Sequence, residues 1–399
     1  MRSTTLWVLV FCTLGGVSSF HVNSLQLKVS TSRLITSPAD NSCSQRKAFV
    51  AGLARIVCSA AQQSHHPGLL KTYYDRPKRI IALGDIHGDV RALATSLHMS
   101  HLIDDRGNWI GKDSVLVQLG DVLDRGPNDY WCMRLLIKLQ EQARASGGDV
   151  ICLLGNHEVM NVQLDFRYVD PAAWAGWELE DGGRGSAAYE AEQVAIHALP
   201  KYMHGRVNAL RRGHGTLSKT LSTWPVCVVI GDTVFCHGGL MPEAVVYGLQ
   251  RLNDETSNWL AGEDSMKPWL LECNPQFSPI WHRAFATANT VDPFTLSAAD
   301  CTMRLLHVSR MVIGHTPQFE GVNCLVTPEG REIWRVDAGM STGIFEGPVE
   351  CLEILAAKGS MDKVNILSED GVISRSLRQQ KITQKIWSST GVGVKTLQT

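Results

Sequence analysis

The most constraining feature of this 399-residue chain is a series of short apolar runs, several of which end in a glycine followed by polar residues. Continuous apolar runs of four to six residues are typical of strands that are covered on both faces. We therefore predict nine strands. They cover residues 79–83, 114–119, 150–154, 226–230, 233–236, 310–313, 333–336, 350–355 and 363–367.

Helical patterns lie between the first of these runs, at residues 89–100 and 129–146. Strands that alternate with helices indicate an α/β architecture. The second helix carries apolar residues at helical spacing, which we expect in the core. These residues are Trp131, Leu135, Leu136 and Leu139.

Residues 161–222 interrupt the alternation and hold Trp174, Trp177 and Tyr189 among polar residues and glycines. We interpret this segment as a mostly helical insertion. It either forms a roof over a functional site or is a structural excursion that contacts no substrate. The insertion lies within one large domain, predicted over residues 78–370.

The segments outside this domain have their own composition. Residues 1–19 combine Arg2, a compact apolar stretch and a zone of small residues, which predicts a secretory signal peptide. Residues 20–77 are rich in Ser and Thr and poor in acidic residues at their start, as transit peptides are. The route is therefore secretion behind a linker, or import into a plastid through a bipartite presequence. Residues 371–399 form a polar tail that we expect to be loosely ordered.

Bulk composition excludes several classes of function. The formal net charge is −1, so no global field attracts nucleic acid or an anionic membrane. The 11 cysteines form no CxxC pair, which argues against a zinc ribbon or a thioredoxin-type site. Cys152 and Cys227 lie inside apolar runs and are expected to be buried thiols.

Five polar clusters end the predicted strands, where α/β sheets bind their ligands. Their glycines allow sharp turns and close approach of the backbone. The clusters are Gly84–Asp89, Gly120–Gly126, Gly155–Glu158, Cys236–Gly239 and Ile313–Thr316. One such cluster is weak evidence for a site, but five with complementary side chains are strong evidence.

Carboxylates and imidazoles dominate these clusters, and such ligands suit Zn, Fe or Mn better than Ca. A two-metal hydrolytic site needs ions about 3.5 to 4 Å apart and a bridging ligand, and we predict that Asp121 is that bridge. The other predicted ligands are Asp85 and His87 for one ion, and Asn156, His237 and His315 for the second.

Further residues near the ligands suit phosphoester chemistry. Arg125 can fork onto phosphate oxygens, and we choose Arg283 as a second phosphate-binding arginine. His157 follows Asn156 and is placed to protonate a leaving oxygen, while Asp124 holds its ring in the right tautomer. The alternatives to Arg283 are Arg251, Arg304 and Arg310.

These motifs resemble the GDxHG, GDxxDRG and GNHE blocks, the HGG motif and the late histidine of phosphoprotein phosphatases within the calcineurin-like metallophosphoesterases. The resemblance covers about residues 79 to 340. It implies an α/β fold, a β-sandwich of two mixed sheets flanked by helices. It also implies a dinuclear metal centre, attack by a metal-bridging hydroxide and no phosphoenzyme. The family's ligands, catalytic acid and phosphate arginines map onto the residues named above.

The sequence differs from the eukaryotic serine/threonine phosphatases at two motifs, which points to another group within the family. His315 lies in a Gly-His-Thr context rather than Arg-Ala-His, and the C-terminal SAPNY block is absent. Residues 158–161 and 336–341 are similar to Shewanella-like phosphatases. Phospho-Ser and phospho-Thr proteins are the expected substrates, with phosphotyrosine open, and toxins that use the missing loop are expected to inhibit poorly.

Two other functions remain open. Diadenosine polyphosphate hydrolases share three of the motif blocks, although we locate no pocket that stacks a nucleobase. An inactive phosphoprotein-binding module is the second alternative. The complete ligand set argues against it, because an inactive relative is expected to have lost a ligand.

Overall fold

Twelve strands form two six-stranded sheets in the part of the chain that the computed structural model describes, residues 70–179, 196, 198–287, 293–357 and 362–373. The predicted signal peptide and most of residues 20–77 and 371–399 lie outside these ranges, as does Tyr189. The strands are β1 Tyr73–Tyr74, β2 Arg79–Leu83, β3 Val115–Gln118, β4 Asp149–Cys152, β5 Cys227–Ile230, β6 Thr233–Cys236, β7 Arg310–Ile313, β8 Asn323–Val326, β9 Glu332–Arg335, β10 Glu350–Leu355, β11 Lys363–Ser368 and β12 Gly371–Ile373.

All nine predicted strands are present, with ends shifted by two residues at most. The sequence patterns missed β1, β8 and β12. Two of these are only two or three residues long, and β8 begins with a polar Asn323, so none forms a long apolar run. β1 precedes the predicted start of the domain at Lys78, and β12 begins the segment predicted as a tail.

Both sheets are mixed. The first has the order β1-β5-β6-β7-β9-β8, and the second has the order β12-β11-β10-β2-β3-β4. Within the second sheet β2, β3 and β4 are parallel neighbours, and within the first β6, β7 and β9 are parallel neighbours. The carboxyl ends of each parallel set therefore lie at one edge of its sheet, which is where the polar clusters begin.

The alternation of side chains along each strand explains why these runs are apolar throughout. In β2, Ile80 and Ala82 join a buried cluster with Phe235 and Trp334 of the other sheet. Ile81 belongs to a second cluster, which includes the residues of the flanking helices. β2 is thus buried on both faces, between the other sheet and the helices, which confirms the predicted sandwich of two sheets flanked by helices.

Nine α-helices lie among the described residues. They are α1 Val90–Met99, α2 Asp129–Ala145, α3 Asn156–Val162, α4 His204–Leu210, α5 Thr216–Leu221, α6 Pro242–Tyr247, α7 Leu249–Ala261, α8 Trp269–Glu272 and α9 Pro293–Leu305. Asp89 begins α1 as its N-cap, because its Oδ1 accepts hydrogen bonds from the N–H groups of Arg91 and Ala92 at 3.1 and 2.9 Å.

The prediction for the core face of α2 was wrong at one position. Trp131 is 49% exposed, whereas Leu136 and Leu139 are fully buried. The buried face of α2 runs through Cys132, Met133 and Leu136, so Trp131 is rotated onto the edge of the solvent face. Cys152 and Cys227 are buried free thiols, as predicted.

The described part of residues 161–222 is mostly helical. A 3-10 helix spans Pro171–Leu179 and another spans Lys201–Met203, and α4 and α5 follow. Trp177 is fully buried, and it packs against Tyr130 of α2 with ring centroids 5.3 Å apart. The insertion is therefore packed onto the helix that follows β3.

Candidate metal centre

The ligand candidates lie where parallel strands end. Asp85 follows β2, Asp121 follows β3 and Asn156 follows β4, whereas His237 follows β6 and His315 follows β7. All five side chains are buried. Asn156 and His157 form the first turn of α3, so the motif that we described as a strand-end loop is the start of a helix.

The side chain of Glu158 connects the motif after β3 to the motif after β4. Its carboxylate accepts hydrogen bonds from the N–H groups of Gly155 and Asp121, each at 2.8 Å, and of Val122 and Leu123 at 2.9 and 3.2 Å. These bonds tie the turn after β3 to the first turn of α3. The GNHE block thus supplies a structural carboxylate as well as candidate reactive side chains.

Glycine is required where the turn after β3 meets α3. A Cβ atom at Gly155 would collide with Asp121 Oδ1, and Gly120 has a φ of +94°. Any other residue at position 155 would displace the carboxylate at the centre of the site.

Several polar residues of the site have a left-handed backbone that non-glycine residues rarely adopt. Their φ angles are +43° at His87, +55° at Asp121, +68° at Asp124, +66° at Arg125 and +67° at His315. A left-handed non-glycine residue costs about 1 to 3 kcal/mol, and such residues cluster at functional sites. The turns of the site are therefore held by the surrounding packing against local preference.

One oxygen atom lies at the centre of the site. Asp121 Oδ2 is 3.2 Å from His237 Nε2, 3.7 Å from His87 Nε2 and 3.9 Å from His157 Nε2. Burial alone would raise the pKa of Asp121. The surrounding imidazoles outweigh burial and hold this pKa well below its usual value. The arrangement suits a carboxylate shared between two cations.

The ring of His237 shows that this donor set fits a metal ion. His237 Nδ1 lies 2.8 Å from the carbonyl oxygen of Leu119, which can only accept, so Nδ1 donates this bond and Nε2 faces the site, where the neutral ring presents a lone pair. That lone pair faces Asn156 Oδ1 at 3.1 Å and Asp121 Oδ2 at 3.2 Å. Lone pairs that converge so closely repel one another, and a cation between them removes the repulsion.

His315 supports the same conclusion. Its Nδ1 lies 3.1 Å from His237 Nε2, and its buried Nε2 has no hydrogen-bond partner in the described structure. Burial lowers the pKa of His315 well below its usual value, so the ring is neutral and able to donate a lone pair. A bound ion would supply the partner that this buried nitrogen needs.

His87 is oriented in the same manner. Its Nδ1 lies 3.1 Å from the carbonyl oxygen of Leu123, which leaves Nε2 as the lone-pair atom. Nε2 lies 3.7 Å from Asp121 Oδ2 and 3.9 Å from Asp85 Oδ2. Burial lowers the pKa of His87 to about 4, which keeps the ring neutral at physiological pH.

Asp85 has a second carboxylate beside it that we did not assign from the sequence. Burial, with the charges of Asp337 and Asp121, raises the pKa of Asp85 well above its usual value. Asp337 follows β9 and is buried, its Oδ2 has no hydrogen-bond partner among the described residues, and burial raises its pKa to about 6. An acidic residue followed by Ala-Gly directly after a strand is the signal that would have found it.

Two groups of three side chains have their ligand atoms within 4.8 Å of one another among the described residues. One group is His87, Asp121 and His157, and the other is Asp121, His237 and His315. Asp121 is common to both groups. The first group contains His157, which we predicted as an acid rather than as a ligand.

The hydrogen bonds of His157 differ from those of the other histidines. His157 Nδ1 donates to Asp124 Oδ2 at 2.6 Å, whereas His87 and His237 face backbone carbonyl groups. Burial would lower the pKa of His157, but the carboxylates of Asp121 and Asp124 outweigh burial and raise it. A carboxylate-paired histidine with a raised pKa is suited to carry a proton.

The sequence did not reveal what lies behind Asp124. The guanidinium of Arg206, in α4 of the insertion, donates to Asp124 Oδ1 at 2.9 Å and to Asp129 Oδ2 at 2.7 Å. Its Nε donates to Asn161 Oδ1 at 2.9 Å. No local pattern links Arg206 to Asp124, because 82 positions separate them.

The two predicted phosphate-binding arginines lie near different histidines of the site. Arg125 is exposed, and its guanidinium lies 4.5 Å from the ring of Tyr168, whose centroid is 5.2 Å from that of His157. Arg283 is also exposed, and its Nη1 donates to the carbonyl oxygen of His315 at 2.8 Å. Both cations therefore lie next to the candidate ligand loops.

The three alternatives to Arg283 have acidic partners. Arg251 pairs with Glu255, Arg304 with Glu329 and Arg310 with Glu332. Arg310 is also buried within β7. These contacts favour Arg283 as the second arginine beside the site.

No helix among the described residues is both long and apolar enough to cross a membrane.

Comparison with known proteins identifies the family of this chain. Residues 78–319 match the family model described as calcineurin-like phosphoesterase. Shewanella-like protein phosphatase 2 of Arabidopsis thaliana is 31% identical over 82% of this chain and 86% of its own length. Shewanella-like protein phosphatase 1 of Plasmodium berghei is 37% identical over 42% of this chain and 41% of its own length.

A solved structure shares the fold. The cold-active protein-tyrosine phosphatase of a psychrophilic Shewanella species superposes with a TM-score of 0.58 and 24% identity. The match covers 77% of this chain and 83% of that one. The chain therefore belongs to the calcineurin-like metallophosphoesterases, among the Shewanella-like phosphatases, and is a metal-dependent phosphatase.

Proposed function

We propose that this chain is a protein phosphatase that hydrolyses phosphate monoesters on Ser and Thr side chains at a two-ion metal centre. The observation that carries the proposal is the position of Asp121 Oδ2, within 3.2 to 3.9 Å of three imidazole nitrogens. The likeness to Shewanella-like protein phosphatase 2 of Arabidopsis thaliana supports a phosphoprotein substrate.

The proposed ligands divide around this oxygen atom. One ion would be held by Asp85, His87 and Asp121, and the other by Asp121, Asn156, His237 and His315. Mixed carboxylate and imidazole ligands favour Mn, Fe or Zn. Two such ions supply Lewis-acid activation of water and of the phosphoryl oxygens.

The remaining side chains act directly on the substrate. Arg125 and Arg283, both exposed beside the ligand loops, would bind the phosphoryl oxygens through their guanidinium groups. His157 would donate a proton from Nε2 to the leaving oxygen of Ser or Thr. This step is needed because an alkoxide is a poor leaving group, and the bond from Nδ1 to Asp124 orients the ring for it.

The proposal is tested by metal analysis together with a panel of phospho-Ser, phospho-Thr and phospho-Tyr peptides and diadenosine tetraphosphate. We expect two bound ions per chain and the highest kcat/KM with phospho-Ser or phospho-Thr peptides. A preference for phospho-Tyr would overturn the substrate preference alone. Turnover of the dinucleotide alone would replace the proposal with a nucleotide hydrolase, and peptide binding without turnover would indicate an inactive module.

We also propose that residues 1–77 direct the chain into the secretory pathway, from which it reaches a plastid through the transit-like segment or otherwise stays in the ER lumen or is secreted. The signal-like residues 1–19 and the few acidic residues after them support this route. A fluorescent reporter fused behind residues 1–77 should enter the secretory pathway, whereas one fused behind residues 20–77 should not. Cytosolic fluorescence from both fusions would contradict the proposal.

A further inference from the structure

We propose that Arg206 is a positioning residue for the catalytic acid, because it fixes the Asp124 carboxylate that orients His157. The inference rests on the proposed role of His157 as proton donor. Arg206 contacts neither substrate nor metal in this role. It acts through Asp124, and it makes the insertion part of the catalytic machinery.

The two oxygens of Asp124 have separate partners. Oδ2 accepts from His157 Nδ1 at 2.6 Å. Oδ1 accepts from Arg206 Nη2 and from Asn161 Nδ2, each at 2.9 Å. Since donors hold both oxygens, the carboxylate cannot rotate without breaking a charged hydrogen bond. The contacts of Asp124 Oδ1 therefore determine the orientation of the His157 ring.

Arg206 is itself held on every side. Its Nη1 donates to Asp129 Oδ2 at 2.7 Å and its Nε to Asn161 Oδ1 at 2.9 Å. The guanidinium lies 4.6 Å from the centroid of the Trp177 ring, and Trp177 Nε1 donates to Asp129 Oδ1 at 3.0 Å. A planar fork with several donors makes all of these contacts at once, which a lysine ammonium cannot do.

Water is excluded from this group. Arg206, Asp124, Asp129, Asn161 and Trp177 are each 0% exposed. Two carboxylates therefore share one guanidinium in a region of low dielectric. Removal of the guanidinium would leave both negative charges uncompensated, and Asp124 would move from its position behind His157.

The test uses the full-length metal-loaded enzyme and a series of aryl phosphates with different leaving groups. A general acid matters for phenyl phosphate, whose leaving group is poor, and matters little for 2,4-dinitrophenyl phosphate. We expect Arg206→Lys to lower kcat about 100-fold with phenyl phosphate, as a misplacement near 1 Å can do. With 2,4-dinitrophenyl phosphate we expect less than about 5-fold, with unchanged metal content.

Two further variants separate positioning from folding. Asn161→Ala removes a second donor to Asp124 Oδ1 and the acceptor of Arg206 Nε, but it keeps the guanidinium and its bonds to Asp124 and Asp129, so we expect the same leaving-group dependence with a smaller loss. Arg310→Lys is the matched control, because Arg310 is a buried, ion-paired arginine of β7 that bonds Glu332 at 3.1 Å. We expect Arg310→Lys to lower Tm without changing the leaving-group dependence.

Each outcome decides a different point. An equal loss with every aryl phosphate in Arg206→Lys and Asn161→Ala would overturn the positioning role. Failure of both variants to fold would overturn it as well, since Arg206 would then serve the fold alone. If the wild-type enzyme hydrolyses none of the esters, the proposed function fails rather than the role of Arg206.

Discussion

The two ring nitrogens of His157 face two buried charge clusters of different kinds. On the Nδ1 side, Arg206 lies between Asp124 and Asp129, and each charged group has a partner within the chain. On the Nε2 side, imidazoles and carboxylates converge around Asp121 Oδ2. On that side the buried His315 Nε2 and Asp337 Oδ2 have no hydrogen-bond partner in the described structure.

This difference in partners indicates which of the two clusters depends on a bound cation. Each charged group of the Arg206 cluster has a partner once the chain has folded, because the cation of this cluster is a side chain. In the described structure, the Asp121 cluster brings imidazole nitrogens and carboxylate oxygens together without a cationic side chain among them, so we expect it to be complete only with metal. The first cluster is therefore expected to be insensitive to chelators, and the second is expected to change both stability and activity with metal content.

Metal removal tests this comparison with the largest expected effect. Chelation should abolish phosphatase activity, and addition of Mn, Fe or Zn should restore it. An ion at about 100 to 1,000 times its dissociation constant stabilises the native state by about 3 to 4 kcal/mol, so the apo protein should have a lower Tm. Calorimetry and elemental analysis on the same samples measure both effects. Full activity in a metal-free preparation would refute the two-ion centre.

Substitution of the central ligands should have nearly the same effect as chelation. Asp121→Asn and His237→Ala should each lower kcat/KM at least about 1,000-fold, because several kcal/mol of stabilisation of the transition state are lost. Bound metal should fall in both variants, as measured by elemental analysis. Normal turnover in either variant would exclude that residue from the centre.

His157 lies between the two clusters, so a substitution at this residue distinguishes proton donation from metal binding. His157→Asn should lower kcat about 100-fold or more, because a positioned general acid contributes about 10² to 10⁴. Metal content should remain at the wild-type level, since the proposed ligands of the nearer ion, Asp85, His87 and Asp121, are all retained. Loss of one ion would instead identify His157 as a ligand, in agreement with its proximity to His87 and Asp121. Unchanged rates would exclude the acid role.

The exposed arginines should give the smallest effect. Arg125→Ala should lower kcat/KM about 10- to 100-fold, as the loss of a charged hydrogen bond of about 1.5 to 3 kcal/mol implies. Arg283→Ala should have a smaller effect, since part of its guanidinium bonds the carbonyl oxygen of His315 and Thr316 Oγ1. A greater loss in Arg283→Ala would reverse this order. Arg304→Ala, at an exposed ion pair, is the control.

The sequence predicted the residues that gather around Asp121, but it did not predict the contact of Arg206 with Asp124, and the reason is physical. Strands buried on both faces leave continuous apolar runs, and sharp turns after them leave glycines, so Asp85, Asp121 and His315 carry local signals. A contact between Arg206 and Asp124 depends on how the insertion packs, and packing leaves no fixed spacing along the chain. Asp337 was within reach of the local reasoning, because it follows β9 as the ligands follow their strands.

The prediction errors in the fold have equally local causes. Trp131 lies about one residue from the centre of the buried face of α2, and each residue turns a helix by about 100°, which moved it to the edge of solvent. β1 and β12 are too short to form a pattern. Pattern reasoning therefore identified the long elements and the reactive turns, whereas short edge strands and the contacts of the insertion required the structure.

The left-handed backbone at His87, Asp121, Asp124, Arg125 and His315 has an evolutionary consequence. At the ligands, and at the buried Asp124, glycine would relieve the strain but would also remove a metal ligand or a charged partner. At the exposed Arg125, glycine would relieve the strain and remove only a phosphate contact, so Arg125→Gly is expected to lower activity and make the folded chain harder to melt. A lineage released from selection for turnover could lose activity by this route and retain a folded protein.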